Sequence, residues 1–408
     1  MNDDFAAAMR RATEATRGRD LAAATRIIQQ ALGGRDDAEA TSPGAAPGRP
    51  RIGRVEILPP ERSAEDGPDD AGPARRAGSA RWPETDRRPL SEVVRALRRG
   101  TAGSDGSAGL PGLDSLPGGM KRGRAPAAPL PEGASFTGRT HADAAGSRSY
   151  RLYVPASVAR GARPSGLVLM LHGCTQNPDD FAAGTAMNRV AEERGLLVAW
   201  PHQTRAHNPN ACWNWFEPAH QGPEKGEPAI LAGLARALVQ DHGVPRERVF
   251  AAGLSAGGAM AAILARTAPD LFAAVGVHSG LAAGSARDVA SAFAAMRSPA
   301  PGDGMGGTRG VRTIVFHGTA DAVVHPGNAG RVFASAPAGG VRHERIEAGG
   351  RTCSRTIRCD AEGRSLGELW LVEGAGHAWS GGDARGSFAD PAGPDASREM
   401  IRFFFDVT

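Results

Sequence analysis

Gly253-Leu254-Ser255-Ala256-Gly257 sets a serine in a G-x-S-x-G pentapeptide. A serine hydroxyl is a poor nucleophile until a neighbouring base takes its proton, so the pentapeptide carries chemistry only if a histidine and an orienting acid can reach it. In a chain with 55 glycines the pentapeptide alone is weak. Its setting says more: VFAAGL before it reads as a buried strand and AGGAMAAILAR after it as a helix. A strand-to-helix turn flanked by glycines is how a nucleophilic serine is held strained and open to attack. The competing reading is an ordinary βα turn of small residues.

The partners of such a serine are expected downstream, acid before histidine, each at the C-terminal end of a later strand. RTIVFHGT runs into Ala320-Asp321, and ELWLVEGAG runs into His377-Ala378-Trp379. Order and placement assign Ser255 as nucleophile, His377 as general base and Asp321 as the acid that orients the imidazole. His317 and His172 are rival histidines, each readable as a structural hydrogen-bonding group, and Asp383 and Asp390 are weaker candidates for the acid. Leu171-His172-Gly173-Cys174 ends an early apolar strand, where one donor to a developing oxyanion is expected. The backbone N–H groups of Cys174 and Ala256 are assigned to that hole. A Cys174 thiol nucleophile lacks a G-x-C-x-G turn of its own.

The elements that must position these groups begin near residue 132, where strand-like and helix-like segments alternate through SYRLYVP, LVLMLHG, LLVAWP, VFAAGLS, FAAVGVHSG, RTIVFHGT and ELWLVEGAG to a closing helix, SREMIRFFFD. That alternation is βαβ arithmetic and predicts an α/β domain over 132–408 with a mostly parallel, doubly wound sheet. Residues 1–34 carry apolar positions at helical spacing, and residues 35–131 are Pro-, Gly- and Arg-rich with few large apolar side chains, so a helical segment and a mostly disordered linker are expected there. Trp213, Trp215 and Phe216 gather in an aromatic-poor chain and, with Trp379, are candidates for a substrate-facing wall; filling the core beside the site is the equal alternative.

Composition excludes several classes. The net charge of +4 is modest for 408 residues and the arginines are scattered, so nucleic acid is not an expected partner. No stretch approaches a membrane span, and acids and arginines interrupt the N-terminus where a secretory signal needs an apolar run, so a cytoplasmic location is expected, with secretion by another route left open. Four cysteines, Cys174, Cys212, Cys353 and Cys359, are too widely spaced for a zinc site and too few for a disulfide scaffold; no metal or cofactor is expected. If Cys353 to Cys359 is one strand, its ends lie about 20 Å apart and cannot pair. Cys174 and Cys212 are placed on loops at the same rim, where a disulfide would brace the oxyanion hole but would conflict with a reducing cytoplasm.

LHGCTQNPDDFA, ACWNWF, GLSAGGAM, HGTADAVV and GAGHAWSGG together resemble the poly(3-hydroxybutyrate) depolymerase family of esterases, which also holds feruloyl and acetylxylan esterases, over roughly 135–408. The resemblance implies an α/β-hydrolase fold and cofactor-free hydrolysis of polyhydroxyalkanoate or short hydroxyacid esters through an acyl-enzyme, with feruloyl or acetylxylan esters as the alternative substrates. It points to the same Ser255, Asp321 and His377. A peptidase or thioesterase could use the same groups, and a polymer-granule binding protein is the reading from another class.

Overall fold

A computed structural model describes residues 129–298 and 310–406. The helical segment expected for 1–34 and the linker expected for 35–131, up to its last three residues, lie outside the described residues. In chain order the elements are β1 (Ser135–Asp143), β2 (Gly146–Val154), α1 (Ala156–Ala159), β3 (Gly166–Leu171), α2 (Pro178–Thr185), α3 (Met187–Arg194), β4 (Leu196–Pro201), α4 (Gly226–His242), β5 (Val249–Leu254), α5 (Ala256–Thr267) and β6 (Ala274–His278). They continue with α6 (Val289–Arg297), β7 (Arg312–Gly318), α7 (Gly327–Ala334), β8 (Gly340–Ala348), β9 (Arg351–Cys359), β10 (Ser365–Val372), β11 (Trp379–Ser380), β12 (Ala389–Asp390) and α8 (Ala396–Phe405).

One sheet of ten strands has the order β1-β2-β4-β3-β5-β6-β7-β10-β9-β8. Its centre, from β4 through β3, β5, β6 and β7 to β10, is parallel, and both flanks are antiparallel. This is the mostly parallel, doubly wound α/β sheet that the alternation of segments predicts. The edge strand β1 and the β8–β9 hairpin are the additions. β8, GVRHERIEA, is largely exposed and charged, so it lacks the apolar run of a central strand; an edge strand needs neither face covered, and its charges discourage pairing with another chain.

The central strands are buried on both faces, which is why they read as continuous apolar runs rather than as alternating ones. In β3, Leu167, Leu169 and Leu171 enter one layer with Leu231 and Leu234 of α4 and Met260 of α5. Val168 and Met170 enter the other with Val190 of α3 and Met400, Phe403 and Phe404 of α8. Each such side chain contributes about 1.5–3 kcal/mol by leaving water. Helices on both sides thus clamp the sheet and leave its C-terminal strand ends as a rim of loops, where sites form in open α/β sheets. Among the described residues no helix is long and apolar enough to cross a membrane.

Candidate active site

β5 ends at Leu254 and α5 starts at Ala256, so Ser255 alone makes the turn, at φ 56° and ψ −118°. A side chain held in that region costs about 1–3 kcal/mol and persists only when its surroundings over-determine it. Here Ser255 N–H donates to His278 O at 2.9 Å and Ser255 O accepts from Ala259 N–H at 2.9 Å. The flanking glycines make room: a β-carbon on Gly257 would overlap the Leu171 carbonyl and lie 2.7 Å from His172 O, and one on Gly253 would overlap the Gly257 carbonyl. The first turn of α5 therefore passes against the end of β3. Ser255 is left partly exposed.

Asp321 follows β7 and is 6% exposed. Its Oδ1 accepts the N–H groups of Val323 and Val324, each at 2.9 Å. Its Oδ2 accepts from His377 Nδ1 at 2.7 Å and lies 3.2 Å from His317 Nε2. Burial works to raise the carboxyl pKa, but the charge and hydrogen bonds of His377 and His317 outweigh it and hold Asp321 well below the usual carboxylate range. A charged Asp321 fixes the His377 proton on Nδ1 and leaves Nε2 as an acceptor. The Ser255 hydroxyl and His377 Nε2 do not hydrogen-bond to each other in this conformation.

What draws their two loops together is His278, at the end of β6. Its carbonyl holds Ser255, its Nε2 accepts Ser380 N–H at 3.0 Å, and its ring stacks on Trp379 at 5.1 Å between centroids. Burial, with His317 and His377 nearby, depresses its pKa to about 3, so it stays neutral. In the sequence, His278 is marked by no motif; its only signal is a polar residue closing an apolar strand beside a serine.

The rivals fall into structural roles. His317 is fully buried and its Nε2 donates to Val324 O at 2.9 Å. His172 donates from Nδ1 to Gly173 O at 2.8 Å and accepts Gln203 N–H on Nε2 at 3.1 Å, and burial lowers its pKa to about 4. Asp383 is paired with Arg385 and Asp390 with Arg351, each at 2.6 Å.

The loop after β3 meets the Ser255 turn: a β-carbon built on Gly173 would lie 3.7 Å from that of Ser255. Cys174 N–H has no protein partner among the described residues, and Ala256 N–H is one of the orphan donors of a helix start. Both are available to a developing oxyanion. Cys174 is disulfide-bonded to Cys212 with their Cα atoms 4.2 Å apart, while Cys353 and Cys359 are free.

The expected aromatic wall needs correction. Trp213 and Trp379 are 0% and 1% exposed and present no face to a ligand. Trp213 donates from Nε1 to His172 O at 3.0 Å, and Trp379 from Nε1 to Ser397 Oγ at 3.1 Å. A ring with one N–H satisfies that donor and buries the rest, so both indoles serve as floor beneath the two loops. Trp215 is 6% exposed and packs edge-on against Phe216 at 5.8 Å; only Phe216 of the cluster is half-buried. Phe388, which no sequence pattern singled out, is half-buried with its ring 6.4 Å from that of His377.

The strand order, the serine turn and the acid–histidine pair at the strand ends define an α/β-hydrolase fold. The family model described as esterase PHB depolymerase matches residues 148–364, more than half of the chain, and the chain belongs to that family. The matched span contains Ser255 and Asp321 and ends before His377. Among curated relatives, poly(3-hydroxyalkanoate) depolymerase C of Paucimonas lemoignei is 31% identical over 188 residues, covering 43% of this chain and 44% of that protein. Acetylxylan esterase A of Talaromyces purpureogenus is 28% identical over 207 residues, covering 46% and 52%. The chain thus spans about half the length of these curated relatives. Among solved structures, an acetyl xylan esterase from Aspergillus awamori superposes with a TM-score of 0.51 at 20% identity over 67% of this chain and 100% of that one, a likeness of fold.

Proposed function

We propose that the chain is a serine carboxylic ester hydrolase that acts through an acyl-enzyme on short hydroxyacid esters, such as 3-hydroxybutyrate oligomers or their polymer. The observation that carries this reading is Ser255 held at positive φ on the β5–α5 turn, on the same rim as the Asp321–His377 pair. The reaction starts when the Ser255 hydroxyl donates to His377 Nε2, a contact of the kind that tightens when substrate arrives. The oxygen attacks the acyl carbon while its proton passes to Nε2, and charged Asp321 steadies the resulting imidazolium. The N–H groups of Ala256 and Cys174 receive the oxyanion, and each such donor lowers the barrier by about 2.7–4 kcal/mol. Collapse expels the alcohol, which takes the proton from His377, and water then repeats the sequence on the acyl-enzyme.

The depolymerase of Paucimonas lemoignei supports the hydroxyacid preference, and the acetylxylan esterase of Talaromyces purpureogenus favours a second reading, an acetyl ester of xylan. Phe216 and Phe388, half-buried on the rim, suit a short acyl group. The test is a side-by-side comparison of kcat/KM on p-nitrophenyl butyrate and palmitate, a 3-hydroxybutyrate trimer, methyl ferulate and acetylated xylan. Butyrate should exceed palmitate and the trimer should exceed both sugar-linked and feruloyl esters. Faster release of acetate from xylan than of hydroxybutyrate from the trimer makes the second reading the better name, and no turnover of any ester overturns both.

A further inference from the structure

Gln176 lies three residues beyond Gly173 and is 3% exposed, yet every polar atom of its amide is in use. Oε1 accepts Gly173 N–H at 2.9 Å. Nε2 donates to Asp180 Oδ2 at 3.1 Å, to Ser387 O at 2.9 Å and to Ser387 Oγ at 3.2 Å. Asp180 completes the set: its Oδ1 accepts Ser387 N–H at 2.9 Å, and its Oδ2 accepts the Ser387 hydroxyl. Two segments 211 residues apart are therefore tied by one amide and one carboxylate.

Both ends of this tie reach the reacting groups. On one side, Gly173 N–H is held by Gln176, and Gly173 O receives His172 Nδ1–H at 2.8 Å and Gln176 N–H at 3.3 Å. In a trans peptide the N–H points opposite to the carbonyl, so pinning Gly173 O aims the following N–H, that of Cys174, the other way. On the other side, Ser387 precedes Phe388, which sits at φ 51°. Phe388 O accepts Trp379 N–H at 2.7 Å, and its ring packs against His377.

We infer that Gln176, with Asp180 and Ser387, is a positioning clamp that sets the aim of the Cys174 oxyanion donor and the place of His377 together, so that the two are not independently adjustable. The inference rests on the proposed ester hydrolysis only for its catalytic consequence; the mechanical tie is a separate claim. None of the three residues touches the reacting atoms. Their contribution is preorganisation, which matters most in the transition state, when the oxyanion and the imidazolium exist at once.

Gln176→Met keeps the length of the side chain and removes every hydrogen bond of the amide while leaving the backbone Gln176 N–H on Gly173 O; Ser387→Ala keeps the Gly173 bond and loosens only the histidine side. Hydrogen–deuterium exchange and p-nitrophenyl butyrate kinetics on the full chain read the two claims separately. In Gln176→Met, exchange should quicken in both 172–177 and 379–390 while the central strands keep their protection. The same variant should lose about 10- to 100-fold in kcat with KM within about twofold, the pattern of a misaimed transition-state donor. Ser387→Ala should quicken 379–390 alone and lose less. Quickened exchange confined to 172–177 in Gln176→Met overturns the clamp, as does a kcat loss that matches a fall in folded protein by near-ultraviolet circular dichroism. Quickened exchange in both segments of Gln176→Met, together with a wild type that hydrolyses no ester, leaves the tie standing and removes the proposed function instead.

Discussion

At the scale of single residues, the site depends on which ring nitrogen of each histidine carries the proton. His377 is set by Asp321 at 2.7 Å; His172 and His278 are set by carbonyl, hydroxyl and N–H partners and are buried. Protonating either of the latter two would take the acceptor away from Gln203 N–H or Ser380 N–H, and burial opposes the charge. Their folded pKa values are depressed from 6.5 to about 4 and about 3. A group whose folded pKa lies below its unfolded value binds protons first in the unfolded chain, so its linked stability is full above pH 6.5 and is lost as pH falls toward the folded pKa. Each histidine should steepen the fall of unfolding free energy between pH 6.5 and 4 by up to about 1.4 kcal/mol per pH unit. Denaturant titrations at pH 7, 6 and 5 check this, with His278→Gln removing one histidine's share of the slope. An unchanged slope in the variant contradicts a neutral, buried His278.

At the scale of elements, the loops that the strands project must be braced, because Ser255 is held between a strand and a helix while the Cys174 and His377 loops are irregular chain. The Cys174–Cys212 bond closes a span of 38 residues, for which restriction of the unfolded chain gives about 3–4 kcal/mol. Alkylation of the unfolded protein without reductant should modify two thiols, Cys353 and Cys359, and with reductant all four. Four modified thiols without reductant contradict the bond. A cytoplasm keeps such thiols reduced, so the same count on freshly lysed cells reports the compartment. The Ser255 turn, the Asp321–His377 pair and the central strands were legible in the sequence because local patterns announce them: an apolar run, a glycine-flanked serine, an acid and a histidine each just past a strand. The clamp was not legible, since Gln176, Asp180 and Ser387 share no local pattern and meet only through the fold. Nor could the sequence decide between wall and core for the tryptophans. Burial of Trp213 and Trp379 depends on which loops cover them, and local spacing carries no information about that.

At the scale of the whole molecule, the sheet gathers parts from Gly173 to Phe388 onto one rim, and β1, the first strand among the described residues, begins at Ser135. The far flank is locked separately: Glu368 of β10 is fully buried and bonded to Arg355 of β9 at 2.8 Å and to Arg402 of α8 at 2.6 Å. Breaking a buried pair costs about 3–5 kcal/mol, and the partial exposure of Arg402 lowers that figure. Glu368→Ala should therefore reduce unfolding free energy while sparing KM on p-nitrophenyl butyrate; loss of substrate affinity with intact stability would contradict a purely structural flank. Removal of residues 1–128 should leave p-nitrophenyl butyrate turnover within about twofold, because every group assigned to the reaction lies beyond them. An inactive or insoluble truncation would show that the preceding chain supports the hydrolase domain.

In the proposed reaction Ser255 carries the covalent acyl-enzyme. A fluorophosphonate forms a stable adduct with an activated serine, so intact mass and peptide mapping locate the nucleophile directly. One adduct per chain is predicted, on Ser255, with parallel loss of p-nitrophenyl butyrate turnover; Ser255→Ala should keep the wild-type melting profile, take up no label and lose on the order of 10⁴-fold or more in kcat. An adduct on another residue, or a folded Ser255→Ala protein that still turns over the ester near the wild-type rate, would contradict the account.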